Sequence, residues 1–112
     1  MLVAPSYASL KVAISSVLSG ASPERYESRS WRHFENTGKG AIAGIWQAGP
    51  HKERCKCDYD ELCHILDGDV RLTDSSGQAR EFGAGDSFVV AAGFDGIWEN
   101  LTTVRKVFFI LS

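Results

Sequence analysis

The sequence predicts an all-β sandwich or barrel built from short strands. From Gly38 onward, short apolar runs alternate with turn signals rich in glycine and aspartate. Residues 70–73 alternate in hydrophobicity, and Asp74-Ser75-Ser76-Gly77 then predicts a hairpin turn back into residues 78–82. A further short buried strand is predicted at residues 88–90. Closely spaced strands and turns of this kind are typical of sandwiches and barrels.

The N-terminal part of the chain carries a different pattern. Four apolar residues recur at helical spacing and predict a short helix: Leu10, Ile14, Val17 and Leu18. We assign this helix to an N-terminal extension, residues 1–27, that precedes a domain of residues 28–112. The domain begins with an alternating strand at 28–36, followed by a strand rich in small residues at 41–48.

The last strand, residues 104–111, is apolar on both faces. Val107, Phe109 and Leu111 alternate with Val104, Phe108 and Ile110. A strand with one solvated face shows polar residues on that face, so this strand is expected to be covered twice. It is expected to be covered either by the second sheet and the N-terminal helix or by a partner subunit. A homodimer is therefore expected.

Composition limits the number of domains, the class of partner and the cellular compartment. A chain of 112 residues, 44% hydrophobic and 23% charged, fits one globular domain. The net charge of −2 does not support a nucleic-acid partner. Lys11 and several serines interrupt the apolar N-terminus, so neither a signal peptide nor a membrane span is expected. An odd number of cysteines in one short stretch makes a poor disulfide framework, which favours free thiols and the cytoplasm.

Two spaced motifs resemble those of the cupin superfamily. They are Cys57-x3-Glu61-x6-Gly68 and Gly85-x5-Ala91-x-Gly93-x2-Gly96-x3-Asn100. Residues 60–68, 82–90 and 93–99 are similar to small single-domain cupins grouped with ethanolamine-utilisation and ureidoglycine-aminohydrolase-like proteins. The resemblance implies a jelly-roll β-barrel, usually dimeric, with a small-molecule pocket inside.

The resemblance also implies a degenerate metal site. Metal-binding cupins hold the ion with two histidines and a glutamate of the first motif and a histidine of the second. Here Cys55 and Cys57 stand at the first two positions, Glu61 is kept, and Gly96 replaces the last ligand. We therefore expect no cofactor. The alternative is an open zinc or iron site made by the two thiolates and the carboxylate.

Glu61 is the candidate catalytic residue. A carboxylate inside an apolar barrel must be protonated or paired, which suits acid–base chemistry or recognition of an amine. The alternative is a structural pair with a basic side chain or a tyrosine hydroxyl. His64 has the opposite parity to Glu61 and is expected on the other face of its strand. The candidate ligand-pocket residues are Trp46, Cys55, Cys57, Tyr59, Cys63, Phe88 and Trp98.

Three functions remain open at this stage. The first is binding, and conversion if the protein is an enzyme, of a small nitrogen-containing or carboxylated metabolite without a metal. In that case Trp46 or Trp98 can stack on a flat ureido or amide group. The second is a metalloenzyme with a remodelled Cys/Cys/Glu site that performs hydrolysis or oxidation. The third is a regulatory module that binds a small molecule without turnover.

Overall fold

The computed structural model describes the backbone of residues 7–15 and 24–112, and the side chains from residue 27 onward. Ten strands lie within these residues. They are β1 (Tyr7–Ser15), β2 (Glu24–Asn36), β3 (Ala41–Ala48), β4 (His51–Lys56), β5 (Asp60–Asp67), β6 (Val70–Asp74), β7 (Ala79–Phe82), β8 (Ser87–Val90), β9 (Asp95–Asn100) and β10 (Val104–Leu111). A single 3₁₀ turn, Thr37–Lys39, joins β2 to β3. No helix in the described part is long and apolar enough to cross a membrane.

The strands form two antiparallel sheets. The larger has the order β1-β2-β3-β10-β5-β8, and the smaller has the order β4-β9-β6-β7. Neighbours such as β3 and β10 are distant in sequence because the chain crosses repeatedly between the sheets, as in a jelly roll. The predicted hairpin is present between β6 and β7, where the Gly77 amide donates to the Asp74 carbonyl. The all-β jelly-roll prediction is confirmed.

The core lies between the two sheets. Its most enclosed members come from both sheets: Cys63, Ile65, Val70, Trp98 and Val104. Each strand contributes alternate residues to this layer because successive side chains of a strand point to opposite faces. On β5 the buried residues are Glu61, Cys63 and Ile65.

The predicted N-terminal helix is wrong over residues 7–15. These residues form β1, which pairs antiparallel with β2 from Tyr7 opposite Arg32 to Ser15 opposite Glu24. The apolar residues Leu10, Val12 and Ile14 also repeat with period two, and two of them are β-branched, which favours a strand once a neighbouring strand is available. The other residues of the predicted helix, Val17 and Leu18, lie outside the described residues. The strand β2 starts at Glu24, and the domain boundary at residue 28 stays a prediction.

The strand at residues 88–90 is not buried as expected. It belongs to β8, which lies at the edge of the larger sheet, and Val89 is 62% exposed. Val90 is the buried residue of this strand. An apolar run cannot by itself distinguish a covered strand from an edge strand with one open face.

The two apolar faces of β10 have different surroundings. Its inner face buries Val104, Lys106 and Phe108 between the sheets. Its outer face leaves Val107, Phe109 and Leu111 exposed in the part of the chain that the structure describes. The inner face thus contains a lysine in the middle of an apolar row, and this lysine defines the site described next.

Candidate functional site

A cleft of about 370 Å³ opens between the two sheets. Its walls come from β2, β3, β4, β5, β9 and β10. They are lined by Ser28, Ser30, Arg32, Ile42, Trp46, Glu53, Cys55, Tyr59, Glu61, Trp98, Lys106, Phe108 and Ile110. The cleft therefore has an aromatic and aliphatic wall with several polar groups, which is the usual composition of a small-molecule site.

A buried ion pair lies in this cleft. Lys106 Nζ of β10 is 2.7 Å from Glu61 Oε2 of β5, and the two side chains are only 9% and 11% exposed. Lys106 Nζ also lies 3.6 Å from Cys63 Sγ, and the Cys63 thiol donates to Glu61 Oε2 at 3.3 Å. Glu61 therefore has the basic partner that was considered as the alternative to a free acid–base role.

Two tryptophans surround the ammonium group of Lys106. Its Nζ lies 4.2 Å from the centre of the Trp98 ring and 4.9 Å from that of Trp46. Burial would lower the pKa of Lys106, but attraction and hydrogen bonding to Glu61, aided by Cys63, raise it above the ordinary lysine value. The lysine is thus held as a cation by a carboxylate on one side and by aromatic faces on the other.

Asn100, the final residue of the second motif, holds Trp98 in place. Its Oδ1 accepts the indole N–H of Trp98 at 2.7 Å, and its Nδ2 donates to the carbonyls of Ala48 and Gly49. All these groups are buried or partly buried, so each hydrogen bond replaces one with water. Asn100 therefore positions an aromatic wall of the cleft and does not contact its interior.

The cysteine pair lies at the end of β4. Cys55 Sγ and Cys57 Sγ are 3.2 Å apart. Cys55 is half-buried and lines the cleft, whereas Cys57 is 4% exposed and packs in the core. Burial raises the pKa of Cys55 and of Tyr59 well above their ordinary values, and nearby acidic groups add to this.

The predicted pocket residues fall into three groups. Trp46, Cys55, Tyr59 and Trp98 line the cleft together with Glu61. Cys57 and Cys63 lie behind its wall in the core. Phe88 lines a different cleft, of about 610 Å³, between the edge strands β7 and β8, where it stacks on Phe82 at 4.0 Å.

The residues present do not fit a metal ion at the cupin position. A side chain at Gly96 would collide with the backbone carbonyl of Thr73, so this position offers neither a ligand nor room for one. The carboxylate of Glu61 is already engaged by the Lys106 ammonium group. From residue 27 onward, no group of three or more histidine, cysteine or acidic side chains is arranged to hold an ion.

Sequence reasoning missed Lys106. One signal was present: a charged residue at an inward position of a strand whose other inward residues, Val104 and Phe108, are apolar. A lysine in such a place needs a partner, because an unpaired buried charge is very unfavourable. Glu61 needs a partner for the same reason. Each of the two side chains is the partner that the other needs.

Comparison with known families points to one group of proteins. Residues 36–108 match the family model described as the EutQ-like cupin domain. This range covers more than half of the chain and includes β3 to β9 and most of β10. No curated protein matches the sequence.

Solved structures share the fold. A protein of unknown function from the DUF861 family of Pseudomonas syringae pv. tomato is 24% identical with a TM-score of 0.76, covering 98% of this chain and 44% of that chain. A putative ethanolamine utilization protein Q from Salmonella typhimurium is 18% identical with a TM-score of 0.69, covering 94% and 95%. A DUF861 family protein from Thermotoga maritima is 30% identical with a TM-score of 0.56, covering 57% and 73%. The first two likenesses establish the fold.

Proposed function

The chain belongs to the EutQ-like cupin family, and we propose that it binds a small nitrogen-containing metabolite in the cleft around Glu61 without a metal ion. The Lys106 ammonium group supplies the positive charge at the carboxylate that an ion supplies in metal-binding cupins. The ligand class that fits best is a neutral amide or ureide. A measurement of product formation from the bound molecule decides whether it is also converted.

The free oxygen of Glu61 carries this proposal. Lys106 and Cys63 both bond to Oε2, and no described residue donates to Oε1. Because Glu61 lines the cleft, Oε1 is the carboxylate oxygen through which a ligand there would be bound. A carboxylate oxygen accepts hydrogen bonds and donates none. Oε1 therefore selects a ligand group that carries N–H or O–H donors.

Charge narrows the ligand class further. Glu61 and Lys106 together are electrically neutral, and the ammonium group lies against the same carboxylate. A cationic amine at Oε1 would be attracted less than by an unpaired carboxylate because Lys106 already neutralises Glu61, and a carboxylate ligand would be repelled by Glu61. A neutral N–H donor meets neither penalty.

The aromatic wall suits a flat ligand. Trp46 and Trp98 meet edge to face, with ring centres 6.2 Å apart and planes at 85°. Trp46 is half-buried and lines the cleft, so part of its surface can contact a planar amide or ureido group. Tyr59, Ser28 and Ser30 add hydroxyl groups to the same cleft.

Calorimetric titration with four groups of small molecules tests this proposal: neutral amides, ureides, primary amines and carboxylates. Binding of an amide or ureide is expected, with affinity reduced about tenfold or more in Glu61→Gln, since a hydrogen bond to a charged group is worth about 1.5–3 kcal/mol. A matched variant outside the cleft, Thr73→Arg on β6, should bind as the wild type does. Binding only of primary amines, or only of carboxylates that lack N–H groups, would overturn the proposal.

Two further measurements separate the other functions. Elemental analysis of protein purified without chelator tests the metalloenzyme; a stoichiometric transition metal that disappears in a Cys57→Ala, Glu61→Gln double variant would establish it. Product formation from a bound amide or ureide would identify an enzyme. Binding without turnover across the panel would identify a regulatory module.

We also propose that the protein is a homodimer formed through the outer face of the larger sheet. Val89, Leu62 and Phe109 are directly opposite one another on β8, β5 and β10. All three are exposed, as are Leu66, Val107 and Leu111. Such a continuous apolar sheet face is typical of a protein interface. The apolar residues at its centre favour a second copy of the same surface as the partner.

We place the protein in the cytoplasm. Cys55, Cys57 and Cys63 are all free thiols. The first two lie 3.2 Å apart without a bond between them, which suits a reducing compartment.

A further inference from the structure

The two cysteines of β4 differ sharply in access but are close in space. Cys55 is half-buried and lines the cleft, whereas Cys57 is 4% exposed. Their sulfur atoms are 3.2 Å apart because side chains at positions i and i+2 of a strand point to the same face. The third cysteine, Cys63, is fully buried, and its sulfur contacts Glu61 and Lys106. The accessible thiol of Cys55 thus has the thiol of Cys57 within reacting distance. The thiol of Cys63 instead contacts Glu61 and Lys106.

We propose that Cys55 and Cys57 form a redox-active dithiol site that reacts with low-molecular-weight disulfides entering the cleft. Cys55 loses its proton and attacks one sulfur of the small disulfide. A mixed disulfide forms at Cys55 and the first small thiol leaves. Cys57 then loses its proton and attacks the Cys55 sulfur, which forms the Cys55–Cys57 bond and releases the second small thiol. The protein loses two electrons and two protons, and the small disulfide gains them.

The cleft assigns the order of the two steps. A small disulfide can reach Cys55 through an opening of about 370 Å³. Cys57 is packed among core residues and cannot meet an outside reagent directly. Its sulfur is 3.2 Å from that of Cys55, so a shift of about 1 Å brings the two to bonding distance. Cys55 is therefore the attacking residue and Cys57 the resolving residue.

The backbone makes the resulting disulfide easy to reduce. Alternate residues of an extended strand lie about 6.6 Å apart at Cα, near the upper limit for a disulfide. Cys57 follows the last residue of β4, and its N–H and C=O are hydrogen-bonded to Phe94 and Gly93. Closing the bond therefore pulls on the connection between β8 and β9. A strained disulfide has a higher reduction potential and is readily returned to the dithiol.

Mass spectrometry of the folded, reduced protein tests this inference. The protein is incubated with oxidised glutathione at about pH 8.5. Burial raises the pKa of Cys55, and an alkaline pH increases the fraction of its reactive thiolate. The expected product has lost two hydrogens and carries no glutathione. Trypsin cuts after Arg54 and Lys56, so a Cys55–Cys57 bond links peptide 55–56 to peptide 57–71. Excess dithiol should restore the original mass.

Three variants make the result decisive. Cys63→Ala removes the other cysteine of peptide 57–71 and should still form the linked peptides. Cys57→Ser should stop at the mixed disulfide and keep one glutathionyl group at residue 55. Cys55→Ser should acquire no glutathione while folded. A wild-type protein that stays fully reduced, that retains glutathione at Cys55, or that links Cys55 to Cys63 would overturn the proposal. None of these outcomes depends on the ligand proposed above.

Discussion

Lys106 Nζ lies 2.7 Å from Glu61 Oε2, across two neighbouring strands of the larger sheet and under the faces of two tryptophans. Each of the two charges would be very unfavourable in this place alone, and each makes the other tolerable. No described residue bonds to the other oxygen of this carboxylate, Oε1, and Glu61 lines the cleft. The same contact therefore stabilises the barrel and presents the acceptor proposed to select the ligand.

Removing the lysine should destabilise the protein strongly. Lys106→Met leaves the Glu61 carboxylate buried without its partner, at an expected cost of about 3–5 kcal/mol in the free energy of unfolding. Denaturant unfolding of the wild type, both single variants and the Lys106→Met, Glu61→Gln double variant measures the coupling. The double variant should be more stable than Lys106→Met because its glutamine is uncharged. A loss below about 1 kcal/mol in Lys106→Met would contradict the role of the pair.

The ion pair also predicts a loss of stability at alkaline pH. The pKa of Lys106 is raised in the folded protein above its ordinary value of 10.5. The stabilisation is therefore fully present below that value and is lost as the pH rises through the folded pKa. Unfolding free energies between about pH 9 and 12 should fall more steeply for the wild type than for Lys106→Met. Burial also raises the pKa of Cys63, to about 12, so this thiol titrates in the same pH range. Lys106 and Lys106→Met should therefore be compared in proteins that also carry Cys63→Ala.

Asn100→Ala should loosen the aromatic wall. It removes the acceptor of the buried Trp98 N–H, which costs about 1–3 kcal/mol when the donor is left unpaired. Denaturant unfolding with tryptophan fluorescence measures the loss. In Trp98→Phe, which has no N–H to satisfy, the same Asn100→Ala change should cost less. Equal costs in the two backgrounds would show that the hydrogen bond to Trp98 contributes nothing.

Restoring a histidine at Gly96 should not create a metal site. The backbone carbonyl of Thr73 occupies the space of a side chain at this position, so Gly96→His should destabilise the fold by about 1–3 kcal/mol. Gly49→Ala is the matched control, because nothing lies within 4 Å of a methyl group placed there. Zinc titration with a competing chelator should give the same result for Gly96→His and the wild type. Tight stoichiometric zinc binding by the variant would contradict the assignment.

Leu62→Arg should separate the proposed dimer. Leu62 lies at the centre of the exposed row formed with Val89 and Phe109, and a buried unpaired charge there is unfavourable. Light scattering should give about twice 12.3 kDa for the wild type and 12.3 kDa for the variant. Thr73→Arg, on the smaller sheet, should stay dimeric. A monomeric wild type at micromolar concentration would refute the dimer.

Local patterns in the sequence were sufficient for much of the fold. The alternation of residues 70–73, the turn at Asp74-Ser75-Ser76-Gly77 and the strand at 104–111 all correspond to observed elements. The resemblance to cupins placed Glu61 inside, and parity then placed His64 on the opposite face, where its ring bonds to Ser87. These predictions succeeded because the period of a strand depends only on neighbouring residues.

Other features were decided by contacts between distant parts of the chain. The apolar residues within 7–15 are compatible with both a helix and a strand. Pairing with β2 determines that these residues form a strand. Cys55 lines the cleft, whereas Cys57 and Cys63 lie behind its wall. Strand parity alone could not predict this difference in position.

The sequence by itself determined that a carboxylate at residue 61 would be enclosed in a β-barrel and would need a partner. Only the tertiary structure decided that this partner is Lys106, 45 residues further along the chain. The physical reason is that strand periodicity orients a side chain within its own strand, whereas the pairing of β5 with β10 determines which charge it meets.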